Sequence, residues 1–331
     1  MRIDTHSHLV PPGYARMLAL EAAANPEFAG VNARRLENVA DPQAPVRSIN
    51  PRLEEMDSAS IDVSVLSLPP PGVNLGDKPT KVAAARLAND ELVAVADEHP
   101  GRFQVLASLP FPHTEEALDE LARVATQPAV RGVSLFAVSE TWTVDDPRLQ
   151  PVYEEVATLG LPIVLHPIRR SWTPEWKDWG LTRTLGMMVT SSISASRLIL
   201  SGMLDRVPDL AVIMPHLGAT LPYLLQRYDD VGQGDAAFPV GRYLRGRFHF
   251  DTCSHHAPAL HCAIETVGVD RLVLGSDYPF RGPLRRMIDH IVEAVDEEEE
   301  RQKIFGTTAQ RWFGTDAPVG RAAPAVSTSE G

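Results

Sequence analysis

The sequence predicts an α/β fold, a single (β/α)8 TIM barrel. Two observations lead there: eight short apolar, β-branched runs recur along the chain, and longer stretches with helical spacing separate most of them. Runs that are apolar on both faces suit strands covered by helices, and strands alternating with helices specify a parallel sheet. A third observation is negative. No glycine-rich phosphate fingerprint follows any run, which disfavours an open doubly wound sheet. The 331 residues suffice for one barrel with insertions.

The expected strands are, in order, Arg2–His8, Ile61–Leu68, Arg102–Leu109, Val130–Ala137, Pro162–His166, Ala211–His216, Phe248–Cys253 and Arg271–Ser276. Thr80–Glu98 has apolar positions at helical spacing behind a threonine suited to cap it. Thr114–Ala125 carries acidic residues in its first turn, and Pro147–Leu159 stops at Gly160. Further helices are expected at Thr184–Arg206, Leu221–Val231, Pro258–Val267, Pro283–Val295 and around Glu297–Phe313. Two segments break the pattern: an insertion after strand 1 (Val10–Pro51) and a segment after strand 5 (Ile168–Arg183) bearing Trp172, Trp176 and Trp179. Loops that long serve as lids or lack order. The barrel is expected over residues 1–315, with a small, polar, flexible tail over 316–331.

Composition excludes several classes. Hydrophobic residues make up 44% and charged residues 22%, a globular balance. Thirty-one basic against 43 acidic residues give a net charge of −12, which argues against nucleic acid and against a polybasic membrane surface. Two cysteines build no disulfide framework, which fits a reducing compartment. MRIDTHSH is too polar for a signal peptide, and no run reaches the roughly eighteen apolar residues of a membrane span. A cytoplasmic, soluble protein is expected.

The chemistry lies where strands end. His6 and His8 are two apart on the first run, so both imidazoles face one side, with Cα atoms about 7 Å apart. That separation lets both rings reach one metal ion. His166 ends the fifth run, His216 the sixth, and Asp277 the eighth. Any one of them alone is explained as a strand-end polar group capping the next helix. In a barrel, however, all these ends converge on one face, where active sites lie.

DTHSHL, LPIVLHP, MPHLGATLPYLLQRYDD, FHFDT and LGSDYPF, in this order and spacing, resemble the amidohydrolase superfamily. More narrowly they resemble its amidohydrolase-related branch, the aminocarboxymuconate semialdehyde decarboxylase-like proteins. The resemblance runs from Arg2 to about Phe313. It implies one divalent metal ion, zinc first and manganese as the alternative. His6, His8, His166 and Asp277 match the ligand positions, and His216 matches the histidine that acts on metal-bound water or substrate. Three imidazoles and a carboxylate suit zinc independently. Two-metal relatives bridge their ions through a lysine on the fourth strand. The four lysines here, Lys78, Lys81, Lys177 and Lys303, all lie outside the apolar runs, which favours one ion. The resemblance also implies a homodimer or higher homo-oligomer.

Candidate substrate contacts are Phe280, His255, Trp176 and Arg47. Phe280 lies three residues past Asp277, where it either stacks on an aromatic ring or packs on the next helix. His255 follows the seventh run, and a histidine occurs near this place in similar decarboxylases; its neighbours Cys253, His256, His261 and Cys262 do not have structural-zinc spacing. Trp172, Trp176 and Trp179 form either a lid or a packed amphipathic turn. Arg47, Arg169 and Arg170 are candidates to hold a carboxylate. The chain departs from the branch after the second-histidine segment, with no arginine between Arg227 and Arg242. The expected function is a metal-dependent, non-oxidative decarboxylase of a small aromatic or unsaturated carboxylic acid, salicylate-type. The alternative is a hydrolase of a lactone or amide using the same residues.

Overall fold

Eight parallel strands, one from each apolar run, form the frame: β1 (Ile3–His8), β2 (Val63–Ser67), β3 (Phe103–Ser108), β4 (Val130–Phe136), β5 (Pro162–His166), β6 (Ala211–Met214), β7 (Phe248–Asp251) and β8 (Leu272–Val273). They pair in sequence order as one sheet. The sheet returns on itself through backbone hydrogen bonds from Thr5 N to Leu274 O (2.8 Å), Asp277 N to His6 O (2.8 Å) and His8 N to Tyr278 O (2.9 Å). The expected neighbours, the first and last strands, therefore close a (β/α)8 barrel. This computed structural model describes residues 1–137, 141–168, 176, 178–254 and 256–314, apart from the side chains at 31 and 34. Arg169, Arg170, Trp172, His255 and the tail 316–331 lie outside the described residues.

Alternation along the strands sorts the core into two parts. Ile3, Val63, Val65, Leu106, Val164, Ile213 and Val273 fill the lumen together with Trp312 and Phe313 from the last described helix. The opposite faces pack on the surrounding helices. The lumen is thus solid toward the strands' amino ends, which leaves the carboxyl ends to carry a site.

The insertion after β1 is not a loop. It folds as α1 (Pro12–Ala24) and α2 (Pro26–Ala40), followed by α3 (Asn50–Ala59). The alanine- and leucine-rich LALEAAA has high helix propensity, and proline opens both α1 and α2. The Asn25 side chain caps α2 by accepting from Phe28 N at 3.0 Å. The Glu91 carboxylate accepts from Gly13 N (2.6 Å) and Tyr14 N (2.9 Å), pinning the start of α1 to α4 (Lys78–Glu98). The cap of α4 is Asp77, whose carboxylate accepts from Thr80 N at 3.0 Å; Thr80 itself sits inside the first turn.

Helices α5 (Thr114–Val124) and α6 (Gln150–Thr158) follow β3 and β4 as expected. The long helix expected at Thr184–Arg206 is broken. A π-helical turn (Thr182–Gly186) leads into α7 (Met187–Leu200), and Gly202, at φ 69°, separates it from α8 (Met203–Arg206). Beyond β6 come α9 (Leu221–Val231) and α10 (Val240–Gly246), then α11 (Ala257–Val267) after β7 and α12 (Leu284–Ala294) after β8. The last expected helix is split into α13 (Glu298–Gln302), a π-helical turn (Lys303–Thr307) and α14 (Gln310–Phe313). Gly306 lies in that turn against Met1, where a Cβ would stand 2.1 Å from the Met1 carbonyl oxygen. Among the described residues no helix is long and apolar enough to cross a membrane.

Candidate metal centre

Strand ends bring His6, His8, His166 and Asp277 together at the carboxyl face. One ligand atom from each lies within 4.8 Å of the others. The pairing of β1 with β2 shifts register between Asp4 and Ser7, a bulge just where the two histidines leave the strand. The ring Nε2 atoms converge: His6 to His8 is 3.1 Å and His8 to His166 is 3.0 Å. Asp277 Oδ1 stands 3.3 Å from His8 Nε2 and 3.6 Å from His6 Nε2.

The outward nitrogens explain this orientation. His166 Nδ1 lies 2.7 Å from the Pro167 carbonyl, which only accepts, so Nδ1 carries the proton and Nε2 presents a lone pair. His6 Nδ1 donates to Asp251 Oδ2 at 2.7 Å. His8 Nδ1 donates to Ser67 Oγ at 3.1 Å, while that hydroxyl donates to Ser7 O at 3.2 Å. With each ring protonated on Nδ1 alone, three lone pairs and a carboxylate oxygen face one another in a buried space, a repulsive arrangement that a cation at its centre makes attractive; at His6 that cation would take the place of a second proton. Bonds of about 2.1 Å to one ion set neighbouring donors roughly 3.0–3.4 Å apart. The observed separations have that size, and a divalent metal site fits these residues.

Burial and charge oppose each other at His6 and Asp277, whereas burial prevails at His8 and His166. Burial, then the nearby His8 and His6, hold His166 well below the ordinary histidine range. Burial lowers His8 as well. At His6 burial is outweighed by Asp251, Asp277 and Asp4, which carry it up to about 9. Asp277 stays below the usual carboxylate range, because hydrogen bonding with His8 and the charge of His6 overcome its burial.

His216 approaches from β6. Its ring is 5% exposed, lies edge-on to that of His6, and places Nε2 4.0 Å from Asp277 Oδ2. Neither ring nitrogen has a hydrogen-bond partner among the described residues. Burial lowers it to about 4, against the pull of Asp251 and Asp277, so it is neutral near pH 7. The backbone turns sharply here: His216, Leu217, Gly218 and Ala219 all have positive φ. At Gly218 (φ 76°) a Cβ would lie 2.9 Å from the Phe250 ring, so the turn requires glycine. Asp277 also has positive φ (56°), a conformation that costs a non-glycine residue energy and gathers at functional sites.

Asp251, at the end of β7, was not among the candidates. One of its oxygens holds His6; the other accepts from His216 N at 2.8 Å and Cys253 N at 3.0 Å. It lies in the quoted FHFDT, and the strand-end signal that picks out His166 and Asp277 applies to it equally. Arg52, fully buried, donates to Ser7 Oγ and His8 O and stacks 4.7 Å from the Tyr278 ring centroid, tying the β1 end to the Asp277 turn.

A pocket of about 270 Å³ opens onto His8, His166 and Asp277. Phe280, Pro69, Pro70, Pro279, Met187, Val39 and Val46 form its walls, and Arg35, Arg183, Arg281 and Asn38 its polar part. Phe280 is where the sequence suggested, 5.6 Å from the His8 ring. Arg47 is not in the lining. Its guanidinium donates to Val39 O at 2.9 Å, buttressing the loop behind the wall. Trp176 stands against Gly186, outside the described lining, and Trp179 is 90% exposed. The pocket arginines carry no strand-end signal: Arg35 comes from α2, Arg183 from the π-helical turn before α7 and Arg281 from the loop after Asp277.

Known proteins similar to this chain are the following. The profile of the family described as Amidohydrolase matches residues 3–315. The 2-amino-3-carboxymuconate-6-semialdehyde decarboxylase of Dictyostelium discoideum is 26% identical over 340 residues, covering 96% of this chain and 92% of that protein. The gamma-resorcylate decarboxylase of Rhizobium sp. (strain MTP-10005) is 30% identical over 290 residues, covering 80% and 86%. A dihydroxybenzoic acid decarboxylase from Polaromonas sp. JS666, solved with bound manganese and the inhibitor 2-nitroresorcinol, superposes with a TM-score of 0.79 at 25% identity, covering 94% and 96%.

Proposed function

Because the chain belongs to the amidohydrolase family, we propose that it is a metal-dependent, non-oxidative decarboxylase of a small hydroxy-substituted aromatic acid. One observation carries the reading: a small, apolar-walled pocket opens onto the four donors and holds three arginines. Its volume, about 270 Å³, suits a single planar ring, and the arginines suit a carboxylate. The decarboxylase activities named for the relatives support the same chemistry.

In this reading His6, His8, His166 and Asp277 hold the ion. Their donor set suits zinc, and the manganese of the Polaromonas structure supports manganese as the alternative. A divalent ion supplies, when bound, a Lewis acid that anchors substrate oxygens and offsets developing negative charge. Phe280 and Met187 clamp the ring, and Arg281, Arg183 and Arg35 offset the anion's charge. His216, neutral near pH 7 and without a hydrogen-bond partner among the described residues, takes up a solvent-derived proton at its free ring nitrogen and relays it to the ring carbon that bears the carboxylate; Asp277 is the second proton-transfer group. The carbon–carbon bond then breaks, its electron pair restores the aromatic ring, and carbon dioxide leaves. Neither an oxidant nor a reductant is consumed. The resemblance favours a homodimer, which sedimentation at working concentration tests.

The test is a panel of ortho-hydroxybenzoates, lactones and amides offered to the purified protein. Carbon dioxide and a product lighter by one carbon dioxide are expected from a hydroxybenzoate. Turnover of a lactone or amide alone would instead establish the hydrolase.

A further inference from the structure

Asp277 divides its two oxygens. Oδ1 faces His8 and His6, whereas Oδ2 faces His216 at 4.0 Å. On the Oδ2 side a second donor group gathers: a His216 ring nitrogen, Cys253 Sγ and an Asp277 oxygen lie within 4.8 Å of one another. All are buried or nearly so. His216 is 5% exposed and Cys253 1%. Among the described residues neither ring nitrogen of His216 has a hydrogen-bond partner, an unusual state for so buried an imidazole. Cys253 is a free thiol, 3.6 Å from Ser276 O. The decarboxylation reading gives this thiol no task.

We propose that His216, Cys253 and Asp277 form a second metal site, selective for thiophilic ions such as zinc or cadmium over manganese, with Asp277 bridging to the first ion. The donor types decide the selectivity. Thiolate is soft and favours zinc and cadmium, while manganese favours oxygen. Three protein donors leave an open position and suit a four-coordinate ion. Ligation displaces the thiol proton to solvent. Zinc bonds of about 2.0–2.3 Å require the donors to draw together by roughly 1 Å. One group opposes binding: Arg281 Nε lies 3.4 Å from Asp277 Oδ2. Its side chain is 44% exposed and can turn toward solvent.

A consequence follows that rests on the role given to His216 above. An ion on its ring nitrogen withdraws the proton-transfer group, so zinc beyond the first equivalent inhibits a manganese-loaded enzyme.

The test reads binding without substrate. Manganese-loaded, full-length Cys262→Ser protein, whose one remaining thiol is Cys253, is titrated with cadmium. The ultraviolet thiolate-to-metal charge-transfer band is followed, and bound metal is assayed. The proposal expects the band to saturate at one cadmium per chain. Cys253→Ser, Cys262→Ser protein should lose the band, weaken this ion at least tenfold, and still bind the first equivalent of manganese. Arg281→Gln should tighten cadmium several-fold. No band in Cys262→Ser protein overturns the site, and so does cadmium binding unaltered by Cys253→Ser. Should the double variant fail to fold, the Cys262→Ser titration decides alone. A protein that shows the band but releases no carbon dioxide from any acid keeps this site and refutes the decarboxylase reading.

Discussion

Asp251→Asn should weaken the first metal without unfolding the barrel. The carboxylate makes three hydrogen bonds: Oδ2 accepts from His6 Nδ1 at 2.7 Å, and Oδ1 accepts from His216 N at 2.8 Å and Cys253 N at 3.0 Å. An asparagine turned to keep its oxygen on the two backbone donors presents its amino group to His6. Two donors then meet, unless the ring changes tautomer so that Nδ1 accepts. That tautomer carries its proton on Nε2 and has no lone pair for the ion. Either outcome costs metal affinity, and partners of this kind are typically worth about 10–100-fold. The expected loss is therefore about 1.4–2.8 kcal/mol of metal binding. Competition against a chelator of known affinity measures it, with far-ultraviolet circular dichroism as a control for folding. Asp251→Ala should lose more, since it also strands two buried N–H groups. An Asp251→Asn protein with metal affinity within twofold of wild type would refute the argument that Asp251 sets the His6 tautomer.

Three further outcomes follow. His6→Ala and His166→Ala should each lose metal and activity together while the barrel still melts cooperatively, and a chelator should abolish wild-type activity until zinc or manganese is returned. His216→Asn should keep near wild-type metal occupancy and lose about 10²–10⁴ in turnover number; metal loss matching that of His6→Ala would make His216 a ligand instead. His249, buried edge-on against Trp312, is held down to about 3 by burial, with Arg271 and Arg311 adding to the shift. Below pH 6.5 the unfolded chain protonates this histidine and the folded chain does not, so its contribution is complete above 6.5 and is lost as pH falls toward 3. At pH 5 that loss is about 2 kcal/mol, and His249→Leu should flatten the acid-side decline in thermal stability by that amount.

Strand ends were legible because two independent constraints coincide there. An apolar run announces a strand buried on both faces, and an ionisable residue at its end has to be paired or ligated. His6, His8, His166, His216 and Asp277 all carry that signal, and all converge. Asp251 carries it too, and the resemblance of FHFDT to the family, which assigns that aspartate no role, does not bring it out. What stayed hidden depends on packing between segments. Periodicity does not say that Val10–Pro51 coils into helices whose Arg35, Asn38 and Val39 reach the pocket. Nor does it say that Arg47 turns back to the Val39 carbonyl or that Trp176 lies against Gly186. At Gly218 the positive φ likewise accompanies a close approach to Phe250 of β7, a contact between segments far apart in sequence.

The most direct test of the account compares metal-depleted and metal-reconstituted protein acting on an ortho-hydroxybenzoate in heavy water, with oxygen removed. The expected result is carbon dioxide equal to the acid consumed, one deuterium at the vacated ring carbon, and turnover only in the reconstituted protein. Carbon dioxide release that persists without metal, or that requires oxygen, would contradict it.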